Sequence, residues 1–139
     1  KIGKILSIIL PVEPNTSTSN GNLDALWLSP DEWMIYLNDN IFDDLYNEIS
    51  KLNLGSVTDV SDQWVCIKIS GSKVFDLLIS GSPFDFREFK NNKNYVTQTL
   101  LNHIDVTIHH KELNEINLFV RRSFSEHLIS WLKDSSRFI

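Results

Sequence analysis

The sequence has little cysteine and little glycine, and each shortage excludes a class of protein. The 139 residues contain one cysteine, Cys66, so a disulfide scaffold is excluded and a reducing compartment is expected. The five glycines include neither a G-x-G-x-x-G nor a P-loop spacing, so the chain shows no recognisable nucleotide-binding fingerprint. We therefore expect neither a secreted disulfide fold nor a flavin or nicotinamide motif in this chain.

Long apolar runs and an excess of positive charge are also missing. No stretch approaches the roughly 18 to 20 apolar residues that cross a bilayer. The apolar run at residues 5–10 is short for a secretory signal and lacks a small-residue cleavage site. The formal net charge is −5 and the Lys and Arg residues are scattered, which argues against a nucleic-acid footprint. We therefore expect a soluble, cytoplasmic protein without a nucleic-acid or membrane partner.

The composition is sufficient for one folded domain with its own core. Hydrophobic residues make up 42% of the chain, and four of them are tryptophan. Residues 11–22 are rich in Pro, Asn, Ser, Thr and Gly, which is typical of a connector. The sequence therefore predicts an extended N-terminal arm over residues 1–22 and a single domain over residues 23–139.

The hydrophobic pattern of the body predicts strands that alternate with helices. Strands are expected on each side of a turn at residues 29–32, and further strands at residues 56–70, 96–109 and 116–120. Helices are expected at residues 39–55 and 72–80 and after residue 123, and residues 82–94 read as loop. The 39–55 helix has its apolar residues at the 3.6 period: Ile41, Phe42, Leu45, Ile49 and Leu52. This order predicts an α+β fold, a mostly antiparallel sheet with helices packed on one face.

The last helix has a start signal in the sequence. Ser123 and Glu126 have the S-x-x-E spacing of a capping box, in which the Ser hydroxyl accepts a hydrogen bond from a first-turn amide. From Ser123 onward the apolar face comprises Phe124, Leu128, Trp131 and Leu132. A Ser123→Ala substitution would then lower stability by about 0.5–2 kcal/mol.

Clusters that could carry chemistry are weak in this sequence. His103, His109 and His110 are close in sequence, but a strand places His109 and His110 on opposite faces, so one metal ion cannot easily take both. Ser123 and His127 are four residues apart on a helix, yet the serine is explained as a cap. The sequence therefore predicts neither a catalytic residue nor a cofactor-binding residue nor a metal ligand.

Apolar residues outside the regular elements are the better candidates for function. Phe84 and Phe86 lie in a predicted loop, where an aromatic ring is either a core residue or an interface anchor. The predicted arm adds four aliphatic candidates: Ile5, Ile8, Ile9 and Leu10. We expect these side chains to contact another protein. Deleting residues 1–12 would then weaken that association and leave the melting temperature of the body nearly unchanged.

Five short segments give the chain a resemblance to a known family. They are Leu10-Pro11-Val12-Glu13-Pro14-Asn15-Thr16, Leu26-Trp27-Leu28-Ser29-Pro30-Asp31-Glu32-Trp33, Val57-Thr58-Asp59-Val60-Ser61, Thr97-Gln98-Thr99-Leu100-Leu101 and Arg122-Ser123-Phe124. In this order the segments resemble the gamma subunit of heterotetrameric sarcosine oxidase. The chain departs from that pattern at Ser29, where the family has glycine.

The resemblance implies a role in an assembly of four kinds of subunit that oxidatively demethylates sarcosine to glycine. It implies that FAD, FMN, NAD and tetrahydrofolate belong to the larger subunits and zinc to the smallest. The partners would be the alpha, beta and delta subunits, and the fold would resemble the folate-binding domain of the glycine-cleavage T-protein. Two functions follow: a non-catalytic accessory subunit that packs against the large subunit, or a free-standing folate or one-carbon binding module in which Asp59 holds the pterin.

Overall fold

The computed structural model describes residues 10–20, 23–37, 44, 46–48, 50–51, 56 and 58–137. The chain divides into two compact units, Lys1–Asp59 and Val60–Ile139. In chain order the strands are β1 (Ser17–Ser19), β2 (Leu23–Ser29), β3 (Glu32–Leu37), β4 (Trp64–Ser70), β5 (Val96–Leu101), β6 (Ile104–Glu112) and β7 (Glu115–Arg121). The helices whose two ends lie in the described residues are α1 (Val74–Ile79), a 3₁₀ turn (Phe89–Asn91) and α2 (Arg122–Ser136).

The first unit contains an antiparallel sheet with the strand order β1-β2-β3. The predicted turn between β2 and β3 is confirmed: Pro30 sets a turn geometry, and the Ser29 hydroxyl donates to Asp31 Oδ1 at 3.0 Å. Leu23, Ala25 and Leu26 of the central strand are buried. This hairpin is the part of the first unit that the hydrophobic pattern predicted.

The described part of the predicted arm is attached to this sheet. Strand β1 pairs with β2, and the Trp27 amide donates to the Thr16 carbonyl at 3.0 Å. The Trp33 indole N–H donates to the Pro11 carbonyl at 2.7 Å. Residues 11–19 therefore belong to the first unit, Lys1–Asp59. The division into an arm over residues 1–22 and a domain over residues 23–139 stays a prediction.

The predicted helix over residues 39–55 falls in the least described part of the chain. Asp44, Lys51 and residues 46–48 and 50 are helical. The five apolar positions that carried this prediction lie outside the described residues. The apolar face of this helix therefore stays a prediction.

The second unit contains a four-stranded antiparallel sheet with the order β4-β7-β6-β5. The prediction of one strand over residues 96–109 is wrong, because Asn102 and His103 form a two-residue turn between β5 and β6. Both residues have positive φ, 51° and 66°, which is the backbone of a type I′ hairpin turn. Leu101 and Ile104 are therefore cross-strand neighbours.

The strand predicted over residues 56–70 is shorter in the structure. The alternating segment from Val65 to Ile69 lies in β4, as expected. Asp59 and its described neighbours are not in a strand, and the Gln63 amide closes a turn by donating to the Val60 carbonyl at 2.9 Å. Gly71 ends β4 with φ of 141°, which favours a residue without Cβ.

One face of the second sheet and both helices share a hydrophobic core. Every second residue of β6 and β7 points into it, and so do the buried residues of the helices: Ile104, Val106, Ile108, Ile116, Leu118, Val120, Val74, Phe75, Leu77, Leu78, Leu128 and Leu132. The predicted class, α+β with antiparallel strands, is confirmed. Within the second unit both helices lie on the same face of the sheet, as predicted.

Helix α1 ends at a close contact that the sequence did not show. Gly81 follows the helix as predicted, but its φ is not in the left-handed region. A Cβ on Gly81 would lie 2.4 Å from Cη2 and 2.6 Å from Cζ2 of Trp131. Glycine is favoured here because any Cβ would force the indole of Trp131 to move.

The start of α2 differs from the predicted capping box. The helix begins at Arg122, the flanking residue is Arg121, and no side chain caps it. The Arg122 amide donates to the Gln63 carbonyl at 2.8 Å, so the turn before β4 satisfies one of the first-turn amides of this helix. The capping role of Ser123 is therefore wrong, and its predicted stability loss has no structural basis.

The buried side of α2 is also narrower than predicted. Leu128 and Leu132 are buried and Trp131 is half-buried, but Phe124 is 49% exposed. Ser125 takes the buried place in the first turn, and its hydroxyl donates to the Arg122 carbonyl at 2.9 Å. In the part of the chain that the structure describes, no helix has the length and hydropathy to cross a membrane.

Candidate functional site

The predicted interface residues of the arm lie at the edge of the described chain. Ile5, Ile8 and Ile9 are outside the described residues, so their interface role stays a prediction. Leu10 is half-buried and precedes Pro11, the acceptor for the Trp33 indole. Deleting residues 1–12 would remove this acceptor, and the expectation of an unchanged body therefore no longer holds for that deletion.

The predicted interface residues Phe84 and Phe86 belong to an aromatic cluster. Phe86 is 1% exposed and Phe84 is half-buried, with their ring centroids 4.8 Å apart. Phe89 contacts both rings, at 5.8 Å from Phe84 and 5.6 Å from Phe86. Of the two alternatives, core residue or interface anchor, Phe86 is therefore a core residue. The Phe84 ring is partly exposed at the edge of the cluster.

Phe89 is a core residue that the sequence prediction missed. It is 3% exposed and lies in the 3₁₀ turn, within a stretch that reads as polar loop. Its ring stacks on His110 at 5.7 Å, and His110 Nδ1 lies 2.9 Å from the Phe89 carbonyl and 3.0 Å from the Asn92 carbonyl. Two carbonyl acceptors require an N–H at Nδ1, so His110 ties this turn to β6.

The other histidines and the candidate nucleophile do not converge on one place. His103 is exposed in the β5–β6 turn, whereas His109 is buried on the face of the sheet opposite His110, as the sequence predicted. Ser123 and His127 are both exposed on α2. Among the residues that the structure describes, no group of three His, Cys, Asp or Glu side chains has a metal-binding arrangement.

The loop that carries Phe84 and Phe86 also carries an exposed ion pair between Asp85 and Arg87. Arg87 Nη2 lies 2.7 Å from Asp85 Oδ2, its Nε donates to both carboxylate oxygens at 3.0 Å, and its amide donates to Oδ1 at 3.0 Å. These hydrogen bonds, with the side-chain bonds as the largest cause, lower the pKa of Asp85 to about 2. The pair is exposed, so salt screens it.

Substituting Arg87→Ala is expected to return the pKa of Asp85 from about 2 toward its ordinary value of 3.8. A lowered pKa means that any stabilisation by this pair is present above the unfolded-state pKa and is lost as the pH falls through about 2. A pH titration of the Asp85 carboxyl carbon by NMR measures the shift. Lys90→Ala removes a nearby exposed charge without this contact and should leave the value unchanged.

A second surface lies where β7 passes into α2, and sequence reasoning missed it as a site. We define the α2 N-terminal surface as Trp64, Arg121, Arg122 and Phe124. The Arg121 guanidinium carbon lies 5.1 Å from the centroid of the Trp64 ring, a cation–π arrangement between neighbours across β4 and β7. Arg122 Nε donates to the Asp62 carbonyl at 2.9 Å. The available sequence signal was the pair of arginines at Arg121 and Arg122, with Phe124 following one residue later, after Ser123.

The fold and the exposed side chains together define a class of protein. The chain is an α+β protein with antiparallel sheets that exposes aromatic and arginine side chains of the kind that contact other proteins. Sequence comparison then gives the family. The model of the sarcosine oxidase, gamma subunit family matches residues 1–137, so the chain belongs to that family.

One curated relative and one solved structure extend this result. The sarcosine oxidase subunit gamma of Corynebacterium sp. (strain U-96) is 27% identical over 113 residues, which are 80% of this chain and 55% of the relative. The chain therefore spans about half the length of that relative. A chain of the heterotetrameric sarcosine oxidase from Corynebacterium sp. U-96, solved in complex with pyrrole 2-carboxylate, superposes with a TM-score of 0.85 at 23% identity. The superposition covers 96% of this chain and 70% of that chain and shows that the fold is shared.

Proposed function

We propose that this chain is the gamma subunit of a sarcosine-oxidase-type complex and that it is a non-catalytic accessory subunit, which packs against the large subunit. The observation that carries the proposal is the family match over residues 1–137. The shared fold with a chain of a heterotetrameric sarcosine oxidase supports it. In such a complex, sarcosine is oxidatively demethylated to glycine.

The proposal assigns the redox and one-carbon chemistry to other subunits. FAD, FMN, NAD and tetrahydrofolate would be held by the larger alpha and beta subunits and zinc by the small delta subunit, and this chain would bind none of them. The complex would be cytoplasmic. A finer likeness of this fold to the folate-binding domain of the glycine-cleavage T-protein is part of the same proposal.

Two described side chains with reactive groups serve the fold, and this supports an accessory role. His110 is hydrogen-bonded to two backbone carbonyls inside the aromatic cluster, and Ser125 is bonded to its own helix. The alternative, a free-standing folate module, needs a carboxylate in a roomy cleft. Asp59 is exposed and lies outside the helices and strands, so no observation favours that alternative.

An activity assay of the chain alone and of the assembled complex tests the proposal. The purified chain should be colourless and should turn over no sarcosine, because flavin and substrate sites are assigned to its partners. Co-expression with the alpha, beta and delta subunits should give a yellow complex that contains this chain and oxidises sarcosine. The matched control expresses those three subunits without it.

Two outcomes would contradict the proposal. Sarcosine turnover by the chain alone, or a flavin absorbance spectrum that stays with the folded monomer, would show that it is not an accessory subunit. Saturable binding of tetrahydrofolate to the chain alone, measured by calorimetry, would favour the folate module instead.

A further inference from the structure

We propose that the α2 N-terminal surface docks a carboxylate-bearing segment of the large partner subunit, with Phe124 entering an apolar pocket on that subunit. The inference rests on the proposed function, because that function supplies the partner. It differs from the interface predicted from the sequence, which consists of the arm, Phe84 and Phe86. Three independent observations on the second unit carry it.

The first observation is the exposure of Phe124. The ring is 49% exposed in the first turn of α2, and within the described part of the chain it makes no ring contact. The buried side of the helix is already formed by Ser125, Leu128 and Leu132. Phe124 thus lies outside the core, and aromatic rings are enriched among the residues that protein interfaces bury.

The second observation is the pair of ordered guanidinium groups at the start of α2, within three residues of Phe124 in the sequence. Arg121 is held over Trp64, and Arg122 is held by its Nε hydrogen bond to the Asp62 carbonyl. Both arginines are exposed, and neither forms an ion pair with any residue that the structure describes. Their remaining N–H groups are donors that match carboxylate oxygens, so charge complementarity indicates an acidic partner.

The third observation is the rigid support of this surface. Trp64 and Arg121 are registered neighbours in the β4–β7 pair, and the Arg122 amide donates to the Gln63 carbonyl at 2.8 Å. The surface is therefore fixed by the sheet and by the turn before β4. Binding groups that are ordered before association lose less entropy when the partner binds.

Phe124→Ala is the variant that tests the anchor. Its affinity for the co-expressed alpha, beta and delta subunits, measured by biolayer interferometry, should fall by about ten-fold or more. Its melting temperature should equal that of the wild type, because the ring is outside the core. Leu113→Ala is the matched control: it removes an 81% exposed aliphatic side chain at the β6–β7 turn and should keep wild-type affinity.

The contribution of the arginine charges to binding is tested by a separate measurement. Arg121→Glu should weaken the same association, and wild-type affinity should fall as the salt concentration rises, because exposed charge pairs are screened. Wild-type affinity in Phe124→Ala, equal losses in Phe124→Ala and Leu113→Ala, or no dependence on salt would overturn the inference. If the wild-type chain itself fails to bind the three subunits, the proposed function is overturned instead.

Discussion

Phe86→Ala is expected to lower the free energy of unfolding by about 3–5 kcal/mol. The ring is 1% exposed, and it packs against Phe75 at 6.1 Å, Phe84 at 4.8 Å and Phe89 at 5.6 Å, so its removal leaves a cavity in the core of the second unit. Chemical denaturation followed by tryptophan fluorescence measures the loss. Phe86→Leu keeps most of the volume and should give a smaller loss if the alanine variant does not fold.

Phe84→Ala is the matched control for this prediction. The Phe84 ring is half-buried in the same cluster, so its truncation should cost clearly less than that of Phe86. If Phe86→Ala loses less than about 1 kcal/mol, Phe86 is not a core residue. That result would favour the interface role that the sequence predicted for Phe86.

Gly81→Ala is expected to lower the free energy of unfolding by about 1–3 kcal/mol through overpacking. The added Cβ would lie 2.4 Å from Trp131 Cη2 and 3.2 Å from Leu101 Cδ1, so α2 or the indole must move. Thermal and chemical denaturation measure the loss.

A second substitution shows whether the Trp131 contact is the cause. Trp131→Phe shortens the aromatic side chain that the new methyl group would meet. In a double-mutant cycle, Gly81→Ala should therefore be less destabilising in the Trp131→Phe background than in the wild type. An unchanged cost in the two backgrounds would show that the preference for glycine has another origin.

The hydrophobic pattern predicted most of the regular elements because their apolar residues recur with one period. It predicted the β2–β3 hairpin, β4, α1 and the class of fold. It failed between β5 and β6. Leu100 and Ile104 are four residues apart, so in one continuous strand they would point to the same face of the sheet. Because of the two-residue turn, Leu101 instead of Leu100 shares a face with Ile104. Leu101 is therefore buried beside Ile104, and Leu100 is 39% exposed.

The residues of the β5–β6 turn lack the strongest sequence signal for a turn. A type I′ turn needs positive φ at both positions, and Asn-Gly is its strongest signal. Here His103 takes the second position with φ of 66°. Asn and His adopt positive φ more often than most non-glycine residues, but neither is as strong a turn signal as Gly or Pro.

The candidate sites depend on contacts between residues that are distant in the sequence, and a local pattern does not predict these contacts. The capping box at Ser123 was a correct local pattern, but the Gln63 carbonyl, from another part of the chain, accepts a hydrogen bond from one of the first-turn amides. Phe89 lies among polar residues, and only the fold shows that its ring closes a cluster with His110. The exposure of Phe124 likewise depends on which side of α2 meets the sheet, and this was not fixed by the helical period alone.

We propose that this chain is a subunit of a sarcosine-oxidase-type complex. Affinity purification of the tagged chain from its host, followed by native mass spectrometry, tests it most directly. We expect the chain to be recovered in an assembly with three other kinds of subunit, and this assembly should contain flavin and oxidise sarcosine. Recovery of the chain as a monomer, or in an assembly without flavin and without sarcosine oxidation, would contradict the proposed function.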